Sequence, residues 1–274
     1  MMENKEIPDI LYHYTLLENL QNIIRAGKTG AELVFWLTHF RQLNDAEEGA
    51  ALDKTIADLC PEWGINPIPD MYVLSLCGSK ENLPLWKEYA NDAKGIVIAL
   101  DSNIIINNTL DFRKEIVKCE YGETENLKAI RQSIKDLDKY IESDEGKVRI
   151  ENMFNYERYP ELRNNPHKRW ILKMGEIRKY FKPLLAFKAP CYYYEDEYRL
   201  TVDGYNAERI KYHVKDDRLI EYREYHIDIK ALKGIYIGSN NTEETTEYVR
   251  RYIMNLALKQ NIDVERIKLP YRTY

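Results

Sequence analysis

Two carboxylates and a guanidinium stand at alternate positions late in the chain, as Glu195, Glu197 and Arg199. The surrounding segment, Ala189–Thr201, is rich in tyrosine, which favours a β-strand. Side chains two residues apart on a strand point to the same face, so the sequence predicts a row of two acids and one base. Neighbouring carboxylates repel and raise one pKa, while a guanidinium opposes that rise. Such rows occur at active sites, and equally as plain surface ion pairs.

A histidine lies on the first predicted strand, Ile10–Thr15. His13 and Thr15 share one face of this strand, and Tyr14 points the other way. Thr15 also opens an S/T-x-x-E capping box, which predicts a helix that ends at Gly27. The simplest interpretation of His13 is a buried histidine bonded to backbone, and that of Thr15 is a helix N-cap.

A serine and two aromatic residues lie in later predicted elements. Ser75 belongs to the strand Met71–Cys77, and Trp86 and Tyr89 stand three residues apart on a short helix, Pro84–Ala90. Residues three apart on a helix share one side. Core packing is the simplest role for this aromatic pair.

The stretch from Arg163 to Lys188 carries eight Lys and Arg residues against a single acid, Glu176. In a chain with a net charge of −5 this predicts a local basic surface. Such a surface suits a pyrophosphate, a nucleic-acid backbone or an acidic partner. A solvated helix face is the simpler alternative.

The composition is that of a globular protein, since 44% of the 274 residues are apolar and 31% are charged. The net charge of −5 argues against a protein whose main task is to coat nucleic acid or an anionic membrane. The first residues show no apolar signal segment, and no apolar run reaches membrane-spanning length. Four separate cysteines without a C-x-x-C motif predict reduced thiols in a cytoplasmic protein.

The predicted strands and helices mix without the regular alternation of a doubly wound fold. The sequence therefore predicts an α+β fold, with mixed, largely antiparallel sheets and flanking helices. We expect a single domain over residues 1–274, with a helical insertion at residues 122–188. Apolar residues recur every three or four positions over Glu125–Ser143, which predicts an amphipathic helix. A helix at Thr242–Gln260 and a strand at Val264–Tyr271 follow near the end.

Several common catalytic motifs are absent. The sequence has no G-x-G-x-x-G after a strand, no H-E-x-x-H, no paired Cys/His metal spacing and no G-x-S-x-G elbow. These absences argue against the usual Rossmann, zinc-enzyme and serine-hydrolase sites, and we expect no metal. They leave open a site assembled from distant single residues.

The motifs, taken in order, resemble the bacterial family known as domain of unknown function 2971. The resemblance covers nearly the whole chain and rests on LYHYT at 11–15 with Gly27, LNDAEEG at 43–49, LSL at 74–76, LWKEYA at 85–90 with Gly95, E-x-E-x-R at 195–199 and GIYIG at 234–238. Ala46 departs from the proline expected after the Asn–Asp pair. The family implies little about activity, and loosely suggests a toxin or phage-defence role.

More distantly, the chain resembles ADP-ribosyltransferases, which implies a split β-core and NAD as the substrate. In those enzymes a strand with His or Arg, a strand with Ser or Tyr and a late strand with Glu occur in this order. His13, Ser75 and Glu197 follow that order here. The chain combines a His-type first motif with a Glu-x-Glu third motif, which departs from the family's pattern.

The resemblance implies roles for the candidate residues. Glu197 favours the positive charge that develops on the ribose when its bond to nicotinamide breaks, and Glu195 positions or deprotonates the incoming nucleophile. His13 and Ser75 hydrogen-bond the ribose or the carboxamide. The other NAD-binding candidates stack on nicotinamide, meet a phosphate or orient Glu197, and they are Tyr14, Thr15, Trp86, Tyr89 and Arg199. The acceptor, a protein or a nucleic acid, is left open.

Two other functions fit the same residues. A metal-dependent nuclease or phosphodiesterase would hold Mg²⁺ with carboxylates, namely Asp45, Glu48, Glu195 and Glu197, and the nucleic-acid backbone with the basic stretch. A non-catalytic binding or sensor domain would use the motif residues as helix caps and structural ion pairs. A simple assay distinguishes the NAD-utilising enzyme from the nuclease. The first would consume NAD without a divalent metal, and the second would cleave nucleic acid in a reaction that EDTA abolishes.

Overall fold

Thirteen strands and their flanking helices are present in the computed structural model, which describes residues 7–27, 30–43, 49–59, 70–107, 114–153, 160, 164, 168–203, 210–215 and 217–269. Eleven of these strands form one sheet, and β7 and β8 form a small second sheet. The strands are β1 (Ile10–Thr15), β2 (Ile24–Gly27), β3 (Gly30–His39), β4 (Met71–Cys77), β5 (Ile96–Asp101), β6 (Lys114–Lys118), β7 (Glu120–Tyr121), β8 (Phe187–Lys188), β9 (Glu197–Asp203), β10 (Ile210–Lys215), β11 (Arg218–Ile227), β12 (Leu232–Ile237) and β13 (Asp263–Arg266).

The helices lie between these strands and cover both faces of the main sheet. They are α1 (Leu20–Ile23), α2 (Ala50–Leu59), α3 (Leu83–Glu88), α4 (Ser102–Asn107), α5 (Glu125–Glu142), α6 (Asp144–Met153), α7 (Lys168–Leu185) and α8 (Glu243–Asn255). A 3₁₀ helix, Pro190–Glu195, leads directly into β9.

The first strand lies in the middle of the main sheet, between β4 and β5. The strand order is β10-β11-β3-β4-β1-β5-β12-β13, with β2 on β3 and with β9 joining β4 to β6. Among the described pairings of this sheet, β12 with β13 is parallel and the others are antiparallel. The predicted α+β fold with a largely antiparallel sheet is confirmed.

The main sheet has two faces, because side chains alternate along a strand and cross-strand partners share a face. The first face carries the largest apolar core, which includes Leu11, Phe35 and Leu74, and it packs on α1, α4 and α8. The second face carries Val73 and Cys77 and packs on α2, α3, α5 and α7. Burial of each such aliphatic side chain stabilises the fold by roughly 1.5–3 kcal/mol.

The amphipathic helix predicted over Glu125–Ser143 is confirmed as α5. The Thr124 side chain caps it by accepting the Leu127 N–H at 3.2 Å, and its apolar stripe is buried against α7 and β4. The spacing of the apolar residues was enough to predict this helix, because only one side of it packs against the rest of the protein.

The helix predicted from Thr15 to Gly27 is wrong. The chain forms a 3₁₀ turn, the four-residue α1 and then β2, in which Ile24 pairs with Leu33 of β3. The Thr15 hydroxyl accepts from the side chain of Asn19 at 2.9 Å and caps no helix. The β-branched Ile24 fits the hairpin with β3, and this tertiary pairing overrides the local capping pattern.

The strand predicted over Ala189–Thr201 is also wrong in its first half. Pro190 has no N–H to donate to a sheet, and the chain forms the 3₁₀ helix up to Glu195 instead. Asp196 then takes a left-handed conformation, with φ 45°, and β9 starts at Glu197. Glu195 is therefore not on the strand that carries Glu197.

The last helix is shorter than predicted. Thr242 caps α8 as expected, accepting the Thr245 N–H at 3.1 Å, but the helix ends at Asn255 because Ala257 is left-handed, with φ 48°. The last strand is limited to Asp263–Arg266, and residues from 270 lie outside the described part. In the part of the chain that is described, no helix combines the length and apolar character needed to cross a membrane.

Candidate functional site

Four charged side chains lie together beneath the second face of the sheet: Lys188, Glu195, Glu197 and Arg199. We call them the buried charge cluster, because none of the four is more than 7% exposed. The Lys188 ammonium contacts both carboxylates, and its Nζ lies 2.9 Å from Glu197 Oε2. Two carboxylates facing an ammonium and a guanidinium sum to zero formal charge, and buried charges are tolerated when they are paired in this way.

The two acids of the cluster lie on different elements. Glu197 and Arg199 alternate on β9 and so point to the same face. Glu195 arrives from the end of the 3₁₀ helix, and the left-handed Asp196 turns the chain between the two glutamates. Aspartate is among the residues that tolerate this conformation best.

The guanidinium of Arg199 orients Glu197. Its Nε lies 3.1 Å from Glu197 Oε1 and its Nη2 lies 3.2 Å from Oε2, which is a two-point contact that fixes the carboxylate plane. Its Nη1 donates to the carbonyl oxygen of Leu185 at the end of α7. Because Arg199 is 0% exposed, this geometry favours the orienting role over contact with a phosphate.

Two other predicted residues lie next to the cluster. The Tyr89 hydroxyl donates to Glu195 Oε1 at 3.2 Å, and the Ser75 side chain hydrogen-bonds Glu197. Ser75 is also the direct cross-strand partner of Arg199. The structure therefore brings together five of the predicted site residues, which are Ser75, Tyr89, Glu195, Glu197 and Arg199.

The surroundings move the pKa values of the two glutamates in opposite directions. Burial raises the pKa of a carboxyl, but in Glu197 this burial is outweighed by the charges of Arg199 and Lys188, which lower its pKa to about 2. In Glu195 burial prevails, and the negative charge of Glu197 adds to it, so the pKa is raised in spite of Lys188. Carboxyl pairs with separated pKa values are the pattern of acid–base chemistry.

His13 lies on the first face of the sheet, where it is half-buried. Its ring packs edge-on against Phe35, with 5.2 Å between the ring centroids. Its Nδ1 lies 3.1 Å from the carbonyl oxygen of Ser75, and burial lowers the pKa of the imidazole. The contact with backbone agrees with the simplest interpretation of His13 from the sequence, although the residue is only half-buried.

His13 and Glu197 point to opposite faces of the sheet. Tyr12, next to His13, is the cross-strand partner of Cys77, and Cys77 is in turn the partner of Glu197. Tyr12, Cys77 and Glu197 therefore share the second face, and His13 points to the first. The structure does not bring the imidazole to the carboxylates.

Three further predicted residues are bonded within the fold. The Tyr14 hydroxyl donates to the carbonyl oxygen of Ser79 at 2.7 Å, and Trp86 Nε1 donates to that of Lys80 at 2.8 Å. Both side chains and Thr15 are buried. Tyr14 and Trp86 lie edge to face in the apolar packing around Cys77, which fits core packing.

Lys188 and Cys119 belong to this site, although the sequence did not predict them as site residues. A signal for Lys188 was present, because Glu195, Glu197 and Arg199 leave one net negative charge, and a buried set of this kind needs another cation. Cys119 follows β6, and its thiol donates to Glu197 Oε2 at 3.5 Å. Nothing in the local sequence around Cys119 points to that contact.

Most of the described cations in the basic stretch between residues 163 and 188 form ion pairs with acids of the same chain. Apart from Lys188, five of its described cations pair with acids, as Lys168 with Glu151, Arg169 with Glu142, Lys173 with Asp138, Lys179 with Glu176 and Lys182 with Asp203. A salt-bridged helix face, rather than a separate basic surface, accounts for most of the stretch. Arg163 lies outside the described residues.

The carboxylates proposed for a metal site are only partly described. Asp45 and Glu48 lie outside the described residues, as do Asn44, Ala46 and Glu47 of the same motif. Among the residues that are described, no group of three or more His, Cys, Asp or Glu side chains is arranged to hold a metal ion.

A family described as "Protein of unknown function (DUF2971)" matches residues 85–200 of the chain. The resemblance to DUF2971 that the sequence predicts is confirmed over this range, which contains all four residues of the buried charge cluster, and Tyr89. No curated protein and no solved structure matches the chain significantly. The more distant resemblance to ADP-ribosyltransferases stays a hypothesis.

Proposed function

We propose that the protein is an intracellular enzyme that breaks the nicotinamide–ribose bond of NAD, as an ADP-ribosyltransferase or NAD glycohydrolase. The observation that carries the proposal is the pair of buried glutamates whose pKa values are moved apart around the shared Lys188. A charge-separated pair of this kind suits a reaction that develops positive charge on a sugar ring.

Glu197 is the electrostatic partner of that charge. Its lowered pKa keeps it ionised at any physiological pH, and Arg199 fixes its orientation. A fixed carboxylate that needs no reorganisation favours the oxocarbenium-like transition state over the ground state.

Glu195 is the proton acceptor for the incoming nucleophile. Its raised pKa makes it a stronger base than an ordinary glutamate, and the Tyr89 hydroxyl holds one of its oxygens. In an NAD glycohydrolase the nucleophile is water, and in an ADP-ribosyltransferase it is a group on a protein or nucleic-acid acceptor. His13 takes no part in this proposal, because it lies on the other face.

NAD has to reach carboxylates that are buried. Glu195 is the last residue of the 3₁₀ helix Pro190–Glu195, in which the Tyr192 ring lies 4.9 Å from Lys188 Nζ and Tyr193 is 72% exposed. The proposal therefore includes a substrate-induced displacement of residues 190–195.

The test measures NAD consumption and nicotinamide release by chromatography, with EDTA present. Wild type is compared with Glu195→Gln and Glu197→Gln, and with Glu247→Gln, which removes an exposed carboxylate on α8 as a matched control. We expect Glu197→Gln and Glu195→Gln to lose about 100-fold or more in turnover, while Glu247→Gln keeps it. Circular dichroism on each variant checks that it is folded.

Wild type that leaves NAD intact, with cell extract added as a source of acceptors, contradicts the proposal. So does a folded Glu197→Gln variant with full turnover. A turnover that EDTA abolishes would instead support a metal-dependent enzyme.

A non-catalytic domain is the second candidate, and the burial of all four charged side chains favours it. In that role the cluster fixes the junction of β8, β9 and the 3₁₀ helix, and nothing binds it. The two candidates differ in Glu195→Gln, which keeps the shape of the side chain and its contacts with Tyr89 and Lys188. A structural role predicts only a small change in stability and no NAD-dependent effect at all.

A further inference from the structure

One left-handed residue, Asp196, separates the two glutamates of the buried charge cluster. Its φ is 45° and its ψ is 49°, and a residue other than glycine keeps such a conformation only where the surrounding structure holds it. Its carboxylate pairs with Lys118, which is not a member of the cluster. The neighbours that hold Asp196 therefore also determine where Glu195 and Glu197 stand relative to each other.

Lys118, the last residue of β6, holds the side chain of Asp196. Its Nζ lies 2.8 Å from Asp196 Oδ1 and donates to the Tyr198 hydroxyl at 3.1 Å. Burial by itself would lower the pKa of Lys118, but its contacts with Asp196 and Tyr198 outweigh burial and raise the pKa. Because Lys118 is the cross-strand partner of Tyr198, the ion pair connects the turn at Asp196 to a neighbouring strand of the main sheet.

The backbone of Asp196 is held from the opposite side of β9, by the residue that follows β4. The Gly78 N–H donates to the carbonyl oxygen of Asp196 at 3.3 Å. A Cβ at Gly78 would lie 2.5 Å from Asp196 Oδ2, so this close approach requires a glycine. The two strands that flank β9, which are β6 and β4, thus both fix the turn between the glutamates.

We propose that Asp196 and Lys118 are positioning residues for the two glutamates, because their ion pair holds the turn that sets both carboxylates on Lys188. The proposal rests on the function proposed above for Glu195 and Glu197. Asp196 and Lys118 lie outside the buried charge cluster, so they act only through the glutamates. A misplacement of about 1 Å at a catalytic group lowers turnover by about 100-fold, and a loosened turn misplaces Glu195.

The position of Glu195 can be measured without NAD, through the titration of its carboxyl group. The titratable groups that face it are Lys188, Glu197, Tyr89, Cys77 and Tyr194. In wild type, burial and the charge of Glu197 raise the pKa of Glu195 in spite of Lys188. A Glu195 side chain released into water returns towards the ordinary value of a glutamate, so its pKa falls. Loss of the positive charge of Lys118 without any movement would instead raise it.

Carbon-13 NMR of protein labelled at its glutamate side chains follows this titration, and Glu195→Gln identifies the signal. We expect the pKa of Glu195 to fall in Lys118→Met and in Asp196→Ala, because alanine neither bonds Lys118 nor favours a left-handed backbone. Asp196→Asn keeps an oxygen for Lys118 and tolerates this conformation, so it should titrate close to wild type. Lys233→Met, which removes another partly exposed lysine paired with an acid on this sheet, is the matched control and should titrate as wild type does.

Nicotinamide release is the second readout. We expect Lys118→Met to lose about 10-fold in kcat and Asp196→Ala about 100-fold, both with little change in KM. Asp196→Asn and Lys233→Met should keep most of the wild-type kcat. A merely structural role would lower the stability of the variants but leave both the titration of Glu195 and the kcat of the folded protein unchanged.

Folded Lys118→Met and Asp196→Ala proteins in which Glu195 titrates as in wild type would overturn the proposal. A higher pKa of Glu195 in Lys118→Met would do the same, as would an unchanged kcat in an enzyme that consumes NAD. Wild type that leaves NAD intact contradicts the proposed function instead, and the titration then decides alone whether the ion pair positions Glu195. Lys118→Met carries the test if Asp196→Ala does not fold, because the Asp196 carboxylate that it leaves is 45% exposed.

Discussion

At the scale of single residues, the buried charge cluster is held by charge balance more than by any one contact. Removal of Glu197 would leave Lys188 and Arg199 with one carboxylate between them, and an unpaired buried charge is costly. The same balance explains the opposite pKa shifts, because Arg199 bonds Glu197 and no oxygen of Glu195 among the contacts described. The proposed function and the stability of the fold therefore depend on the same four side chains.

The lowered pKa of Glu197 predicts how stability depends on acid. The pKa falls from an ordinary 4.5 to about 2 on folding, so its ionised form contributes about 3 kcal/mol above pH 4.5. That contribution is lost as the pH drops from 4.5 towards 2. The raised pKa of Glu195 acts in the opposite sense, since its ionisation destabilises the fold as the pH rises.

We therefore expect Glu197→Gln to be about 3 kcal/mol less stable than wild type at pH 7, and the difference to shrink at pH 3. Urea unfolding followed by circular dichroism at pH 7, 5 and 3 measures it. Glu247→Gln should differ from wild type by less than about 0.5 kcal/mol, because exposed ion pairs contribute little. If the free energies of unfolding of Glu197→Gln and wild type differed by the same amount at all three pH values, the neighbouring charges would not lower the pKa of Glu197.

The sequence predicted part of this site and failed on the rest for a physical reason. The alternation of Glu197 and Arg199 follows from the period of a strand, which is a local property. The positions of Lys188 and Cys119 depend on which strands become neighbours, and no local pattern encodes that. His13 was placed in the right strand, but the register of β1 with β4 decides which face it points to.

At the scale of elements, the loop between α3 and β5 is the most unusual piece of backbone. Asn91, Asp92 and Ala93 are all left-handed, with φ values of 47°, 50° and 59°, and three such residues in a row are rare without glycine. The loop is held by the segment after β12, where Asn240 donates to the carbonyl oxygen of Asp92. Gly238 passes so close that a Cβ there would lie 2.0 Å from the carbonyl oxygen of Ala93.

This contact predicts opposite effects for two glycine substitutions. Gly238→Ala should destabilise the protein by roughly 1–3 kcal/mol or more, because the added methyl group meets fixed backbone. Gly175→Ala should stabilise it by about 0.5–1 kcal/mol, since Gly175 is exposed on α7 and an added Cβ meets nothing within 4 Å. Thermal unfolding of both variants measures the two effects. An unchanged Gly238→Ala protein would mean that the loop after α3 can move away at little cost.

The elements that the sequence predicted correctly are those whose partners lie on one side. The apolar stripe of α5 is an example, because a single periodic pattern describes it. The failures, at Thr15–Gly27 and at Pro190–Glu195, are short segments. Pairing with β3, the next strand of the chain, outweighed local propensity in the first segment, and the missing N–H of Pro190 did so in the second.

At the scale of the whole molecule, the mixed order of helices and strands was enough to predict the fold class. The strand order was not predictable, because β1 lies between β4 and β5 in the sheet although both are far from it in the sequence. The position of the helices α5–α7 is likewise a property of the whole fold. They leave the sheet region at β7 and return at β8, and these two strands lie side by side.

That geometry permits a decisive test of whether residues 122–188 are an independent insertion. The ends of the helical stretch meet, with the Gly122 N–H 2.9 Å from the carbonyl oxygen of Lys188. A short Gly-Ser linker can therefore replace residues 125–185 without stretching the chain. The helices also supply apolar side chains to the core on β4, among them Phe181 and Leu184, and Leu185 binds Arg199 through its carbonyl oxygen.

We expect the excised protein to lose cooperative folding, because each buried apolar side chain contributes roughly 1.5–3 kcal/mol and a whole domain is stable by only about 5–15 kcal/mol. Circular dichroism during heating and gel filtration measure the outcome. Insertion of the same linker after Asp217, in the exposed turn between β10 and β11, is the control and should leave the transition almost unchanged. A soluble excised protein that melts cooperatively near the wild-type temperature would show instead that the sheet folds without the helices, and that the buried charge cluster does not need Leu185.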